Sequence, residues 1–220
     1  GPLTNLDQLV TFCEDCVMSR GPAKQFNPDQ AVHDAMKVFW AKGYVGSGMN
    51  ELLGAMGISR KSLYDTFGSK HGLFLCALDR YADKFIGRIV KILDADGSPL
   101  SNVREALEQF STAKSKTPNN GCLIGVGMGQ FRSDEPEVAA ALRGHLQTME
   151  DAFHRAFKRA IESGELSSKA NPRDFARLLT ATAQGLALRR RVDHEPAVSR
   201  SVVRATMATL EALRPADRTD

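Results

Sequence analysis

The amino-acid sequence predicts an all-α fold with a small N-terminal helical domain and a larger helical body. Apolar residues recur at helical spacing along most of the 220 residues, and capping residues stand where several of the stripes begin. Strand signals are scarce, because no segment alternates apolar and polar residues for long. The first helices are short and closely spaced while the later ones are long, which indicates two domains.

Composition excludes several classes of protein. Four cysteines in 220 residues are too few for a disulfide scaffold and favour a reducing compartment. No apolar run approaches the roughly 18–20 residues that span a bilayer. We also expect no secretory signal, since no basic flank precedes an apolar stretch at the N-terminus. The formal net charge of +3 permits an acidic partner without requiring one. The sequence therefore predicts a cytoplasmic protein with no membrane partner.

Four helices are predicted in the first part of the chain. The first opens at Asn27-Pro28, where asparagine caps the helix and proline takes its first position, and it closes at Gly43. A glycine ends the second helix, and serines cap the third and fourth. Their expected limits are Asn27 to Gly43, Met49 to Met56, Ser59 to Phe67 and Ser69 to about Ile92.

Five more helices are predicted beyond the break at Asp96 to Pro99. Gly164 stops the long one, and Asn171-Pro172 opens the next. The expected helices cover about 103–110, 121–131, 138–161, 172–192 and 196–213. The whole chain is thus predicted to form about nine helices with no repeat period.

The predicted domains follow from this pattern. We expect an N-terminal extension over residues 1–24 and a small helical domain over 25–72. A larger helical body is expected over 73–215, followed by a tail over 216–220.

The segment from Met49 to Phe67 is the most informative part of the chain. Two short helices are joined at Gly57-Ile58, with glycine where a positive φ costs least. This is a helix-turn-helix arrangement, in which the second helix enters the DNA major groove. The alternative for the pattern alone is a simple helix corner with a solvated charged face. An excess of basic over acidic residues between Arg20 and Lys70 favours the DNA-binding interpretation.

The outward side chains of the second short helix suit DNA. Arginine and lysine can bond guanine edges, and serine can bond either base type. A tyrosine hydroxyl can donate to a phosphate, and a lysine at a helix N-terminus can hold another. The candidate DNA-contacting residues are Arg60, Lys61, Ser62, Tyr64, Ser69 and Lys70.

Three segments resemble the DNA-binding domain of TetR-family transcriptional repressors. They are WAKGY at the end of the first helix, GISRKSLY across the turn, and FGSKHGLF after it. The resemblance covers about a quarter of the chain and matches in register. Members of the family usually carry serine or threonine where Gly48 stands, which predicts a weaker cap on the second helix. Asp65 places a negative charge near the expected DNA.

The resemblance implies a function as well as a fold. It implies a homodimer whose recognition helices enter successive major grooves of a palindromic operator in double-stranded DNA, in a nucleoid-associated regulator. Arg60, Lys61 and Ser62 would then lie near bases, with Tyr64 and Lys70 on phosphates. It further implies a repressor that an unknown small-molecule effector or a thiol-reactive signal releases from DNA.

The last two predicted helices are the expected dimerisation pair. Their apolar stripes suit either a dimer interface or the core of one protomer, and periodicity alone does not separate the two. The family resemblance favours the dimer. The candidate interface residues are Leu178, Leu179, Leu186, Val202, Val203, Met207 and Leu210.

The resemblance further implies that 25–72 is the helix-turn-helix DNA-binding domain and that 73–215 is a ligand-binding and dimerisation domain. The candidate residues of its ligand pocket are Cys122, Met128, Phe131 and Phe153. Cys122 stands at a predicted helix N-terminus, where amide dipoles favour the thiolate. Gly121-Cys122-Leu123 resembles the branch of the family that responds to electrophiles and oxidants. The alternative is a small buried cysteine that packs as an apolar residue, which is also the prediction for Cys76.

Cys13 and Cys16 form a C-x-x-C pair, which leaves a thiol-based redox sensor or oxidoreductase as an alternative function. Neither a second ligand pair nor a βαβ context accompanies it, so an amphipathic N-terminal helix is the plainer interpretation. No catalytic constellation, metal-ligand set or cofactor motif emerges from the spacing of residues. We therefore predict a protein that is not an enzyme, with no metal and no cofactor.

Overall fold

The computed structural model describes residues 26–111, 121–131, 135–193 and 195–215. These residues form ten α-helices, one π-helical turn and no strand, which confirms the all-α prediction. None of these helices is long and apolar enough to cross a bilayer. The helices are α1 (Pro28–Gly46), α2 (Met49–Met56), α3 (Arg60–Phe67), α4 (Lys70–Tyr81), α5 (Gly87–Leu93), α6 (Pro99–Ser111), α7 (Leu123–Met128), α8 (Pro136–Glu162), α9 (Pro172–Arg189) and α10 (Pro196–Glu211).

Side-chain caps confirm the predicted starts of the N-terminal helices. Asn27 Oδ1 accepts hydrogen bonds from the backbone N–H groups of Asp29 and Gln30, at 2.9 and 3.3 Å. Ser59 Oγ and Ser69 Oγ each accept one backbone N–H, at 3.0 Å, at the start of α3 and α4. Each cap satisfies donors that have no partner inside the helix. Gly48 precedes α2 without a side-chain cap, as predicted.

Several helix limits differ from the prediction. The π-helical turn Ala82–Ile86 divides the predicted fourth helix into α4 and α5. Helix α6 begins at Pro99 rather than near 103, and α9 ends at Arg189 rather than near 192.

Backbone hydrogen bonding carries α1 to Gly46, but Gly43 has φ 73° and ψ 179° and kinks the helix three residues earlier. Helix α7 spans only Leu123–Met128, whereas residues 121–131 were predicted. The N–H groups of Gln130 and Phe131 both bond the carbonyl of Gly127, at 2.9 Å, so the chain turns there and the helix ends.

The described residues group into two compact units. One holds α1 to α4 and, from much later in the chain, residues 126–142. Helix α1 packs against α2 and α4, and α3 packs against α4. Phe39, Leu52, Leu63 and Phe74 are fully buried in this unit. The unit boundary falls inside the π-helical turn Ala82–Ile86, between residues 84 and 85.

The second unit holds residues 85–125 and those beyond 142 that the structure describes. Helix α6 packs against α5, α9 and α10. Arg155 of α8 forms two hydrogen bonds with the Asp94 carboxylate, at 3.2 and 2.7 Å. Arg159 donates to the Leu93 and Ala95 carbonyls, which satisfies backbone acceptors at the C-terminus of α5.

Candidate DNA-binding surface

Helices α2 and α3 form the predicted helix-turn-helix. Gly57 joins them in the left-handed conformation, with φ 64° and ψ 31°. Its N–H bonds the Gly54 carbonyl at 3.4 Å, and the Ile58 N–H bonds the Leu53 carbonyl at 3.3 Å. A glycine adopts this φ without the penalty that a Cβ would bring. Apolar side chains of both helices are buried in the core of their unit, and most polar side chains of α3 are exposed, although Thr66 is buried.

The N-terminal turn of α3 presents the candidate base-reading side chains. Arg60 and Lys61 are exposed, and Ser62 is half-buried. Arg60 Nη2 donates to Asn50 Oδ1 of α2 at 3.1 Å, so the first helix of the motif orients a side chain of the second. Ser62 Oγ lies 2.9 Å from the capping Ser59 Oγ, which occupies part of its hydrogen-bonding capacity. Tyr64 is 45% exposed.

Asp65 forms an ion pair with Lys61 on the exposed face of α3. The Lys61 Nζ lies 2.5 Å from Asp65 Oδ2, and the side chains are 84% and 59% exposed. The pair joins residues i and i+4, so it holds the lysine along the helix surface. Any DNA group that binds Lys61 must therefore compete with the Asp65 carboxylate.

Replacing Asp65 with asparagine is expected to tighten binding to duplex DNA by about two- to fivefold, because an exposed ion pair of this kind contributes only a few tenths to one kcal/mol. The substitution also removes a negative charge from the face of α3 that is expected to meet the DNA. Fluorescence anisotropy with a labelled duplex at low salt measures the change. Asp96→Asn removes the same charge from an exposed position in the other unit. Equal gains in the two variants would show that only net charge matters.

Lys70, the candidate phosphate contact, is held by Tyr44. Its Nζ donates to the Tyr44 carbonyl at 2.7 Å and lies 4.4 Å from the centroid of the Tyr44 ring. Burial lowers the pKa of Lys70 below its usual value. An ammonium group has three donors, so two remain for a phosphate, whose charge would oppose the effect of burial.

An aromatic cluster surrounds the Tyr44 ring. Its centroid lies 4.8 Å from that of Phe131 and 5.2 Å from that of Phe74. The Phe74 and Phe131 rings stack at 5.2 Å with an interplanar angle of 18°. Gln130, next to Phe131, accepts a hydrogen bond from the Tyr44 N–H through Oε1, at 2.6 Å.

Sequence reasoning missed both Tyr44 and Gln130. Tyr44 stands in the WAKGY segment that carries the family resemblance, so a signal for its importance was present. No sequence signal marks Gln130, because its partner is 86 residues away along the chain.

The predicted pocket residues fall in different compact units. Cys122 and Phe153 are buried in one unit, while Phe131 is buried and Met128 is 38% exposed in the other. Cys76 is buried in the core, as predicted. Cys13 and Cys16 lie outside the described residues, and a pocket lined by Cys122, Met128, Phe131 and Phe153 stays a prediction. Within the described ranges no three metal-ligating side chains cluster.

The predicted dimerisation residues divide by burial. Five of them are buried within the protomer itself, and two are exposed: Leu178 is 51% and Val202 37% accessible. The buried residues are Leu179, Leu186, Val203, Met207 and Leu210. Beside the exposed pair, α9 and α10 enclose a groove of about 250 Å³. Its lining is mostly apolar or bears small hydroxyl groups: Phe175, Leu178, Leu179, Thr182, Ala205, Thr206, Thr209 and Leu210.

Comparison with known proteins finds the two domains of one family of regulators in this chain. Residues 32–77 match the family described as bacterial regulatory proteins of the tetR family, and residues 99–206 match the tetracyclin repressor-like C-terminal domain. The HTH-type transcriptional regulator YezE of Bacillus subtilis is 32% identical over 151 residues, which are 68% of this chain and 77% of the relative. The HTH-type transcriptional repressor ComR of Escherichia coli is 28% identical over 186 residues, which are 82% of this chain and 87% of the relative.

A solved structure shows a similar fold on DNA. A cysteine mutant of the TetR family transcriptional regulator CifR, complexed with 26-base-pair operator DNA, matches with a TM-score of 0.77 and 26% identity. The match covers 86% of this chain and all of that chain. With both family domains present in order, and the helix-turn-helix exposed as DNA binding requires, the chain belongs to the TetR family of DNA-binding transcriptional regulators.

Proposed function

We propose that the protein is a homodimeric, ligand-responsive repressor that leaves a palindromic operator when a small molecule binds its C-terminal body. The observation that carries this proposal is the N-terminal turn of α3. This turn exposes Arg60 and Lys61, and Asn50 of α2 accepts a hydrogen bond from the Arg60 side chain. Two relatives support the repressor and the DNA-binding parts of the proposal: ComR is named a repressor, and CifR is complexed with operator DNA.

The proposed contacts divide into two kinds. Arg60, Lys61 and Ser62 read base edges in the major groove, since they stand at the start of the recognition helix. Tyr64, Ser69 and Lys70 bind phosphates, which positions the protein without reading sequence. Neutralised phosphates release counterions, so affinity should fall steeply with salt concentration.

The proposed dimer uses α9 and α10 of each protomer. Leu178 and Val202 are exposed apolar side chains beside a largely apolar groove, a combination that favours contact with a second copy. A two-fold dimer presents the same face twice, and its two recognition helices can then read the two halves of a palindrome.

The proposed effector acts by a shift in population. A ligand that binds one conformation of the body better than another favours that conformation, and DNA affinity changes if the two conformations space the recognition helices differently. Cys122 as the target of a thiol-reactive signal stays a prediction within this scheme. Because the proposed function requires access to operator DNA, we also propose that the protein acts in the bacterial cytoplasm.

In-vitro selection from random duplex DNA tests the proposal. The purified protein should enrich a palindrome whose half-sites lie about one helical turn, roughly 10 base pairs, apart. A Lys61→Ala variant serves as the matched control and should enrich a less defined motif. If the folded protein enriches no motif even at low salt, the proposed operator recognition is wrong.

A further inference from the structure

Gln130 makes a long-range contact with the end of the first helix. Its side-chain Oε1 accepts a hydrogen bond from the backbone N–H of Tyr44, at 2.6 Å. The neighbouring Gly43 has φ +73°, and a Cβ there would lie 2.6 Å from the same Oε1 atom. Only a residue without a side chain leaves room for the glutamine amide. Position 43 therefore serves two needs, a left-handed turn and the approach of Gln130.

The same tyrosine holds the candidate phosphate-binding lysine. Lys70 Nζ donates to the Tyr44 carbonyl at 2.7 Å and lies 4.4 Å from the centre of the Tyr44 ring. Gln130 thus holds the backbone N–H of Tyr44, while the carbonyl and the ring of Tyr44 orient the Lys70 ammonium. A lysine ammonium that is already oriented loses less freedom when it binds a phosphate.

We propose that Gln130 is a positioning residue for the DNA-backbone contact of Lys70 and acts through Tyr44. This inference rests on the phosphate contact proposed above for Lys70. It assigns a part in DNA binding to a residue outside the N-terminal family match, because Gln130 lies within residues 99–206. All three residues nevertheless belong to one compact unit of the fold.

Gln130 is a better test position than its neighbour. Phe131 also contacts Tyr44, but it is only 9% exposed and stacks on Phe74, so its loss would damage the core. Gln130 is half-buried, and methionine matches its length without offering a good acceptor. Glutamate matches its length and keeps the acceptor.

The experiment is a double-mutant cycle read as affinity for a labelled duplex of random sequence at low salt. The quantity measured is the factor by which Lys70→Ala weakens binding in each background. With Gln130 in place, we expect Lys70→Ala to weaken binding roughly tenfold, because an oriented lysine makes a full charge-assisted hydrogen bond to the phosphate. In the Gln130→Met background we expect a factor of about three or less, because Tyr44 no longer orients the lysine. Gln130→Glu, which keeps the acceptor for the Tyr44 N–H, should restore most of the factor.

Lys61→Ala is the matched control, because this lysine is exposed on α3 and paired with Asp65 rather than with Tyr44. Its factor should be the same with Gln130 and with Gln130→Met. Circular dichroism of each variant monitors folding. If Lys70→Ala costs the same factor in all three backgrounds, Gln130 does not position Lys70 and the inference is overturned. If the wild-type protein binds no duplex at all, the proposed function is wrong, and the inference about Gln130 falls with it.

Discussion

Replacing Leu178 with arginine is expected to separate the dimer and weaken operator binding by about two to four orders of magnitude. Leu178 is 51% exposed beside the groove between α9 and α10, so an arginine there would place two like charges close to the two-fold axis of the proposed interface. A monomer binds only one half-site. In a dimer the first bound half-site keeps the second recognition helix close to the other half-site, and a monomer lacks this gain in affinity. Sedimentation measures the oligomeric state, and titration of the selected palindrome measures affinity.

Val192→Arg is the matched control for this prediction. Val192 is 85% exposed in the same unit but lines no part of the groove, so it carries the same change in charge and size at a different place. This variant should remain a dimer and bind the operator as wild type does. A dimeric Leu178→Arg variant with unchanged affinity would remove this face from the interface.

Replacing Lys61 or Lys70 with alanine is expected to produce two different defects. Lys61→Ala should relax discrimination between operator and altered half-sites, by about 1–3 kcal/mol at the base that it reads. Lys70→Ala should weaken all sequences alike and reduce the slope of log affinity against log salt by about one. Titrations of the operator, a mutated operator and a random duplex at several salt concentrations separate the two.

The structure gives a physical reason for this division. Lys61 is 84% exposed on the recognition helix and can extend into the groove. Lys70 is anchored on the Tyr44 carbonyl at 2.7 Å, so its reach is limited to what lies beside the start of α4. Identical salt slopes and identical losses of discrimination in the two variants would contradict the assignment of roles.

Local features were predictable from the sequence because they depend on neighbouring residues. Asn27-Pro28, Ser59 and Ser69 each cap a helix through a bond to a residue two or three positions on. Gly57 stands in the left-handed conformation that the turn needs. The helix-turn-helix, its outward face and the family were therefore within reach of sequence reasoning.

The long-range features were not predictable in the same way. Periodicity marked Leu178 and Leu179 as one apolar stripe, but only packing shows that Leu179 is fully buried while Leu178 stays exposed. Phe131 was expected in a ligand pocket, and the structure places it against Tyr44 and Phe74. An apolar stripe in the sequence indicates which residues of a helix are buried, but it does not indicate the residues against which they pack.

The sequence by itself determined the all-α class, the starts of the capped helices, the helix-turn-helix and most of the residues that it exposes, because caps, turns and helical periodicity act over a few positions. Only the tertiary structure decided that residues 126–131 and 135–142 join the unit that holds the helix-turn-helix and that Tyr44 links Gln130 to Lys70. Contacts between residues 86 positions apart depend on how the helices pack, and packing is set by the shapes of all the side chains together.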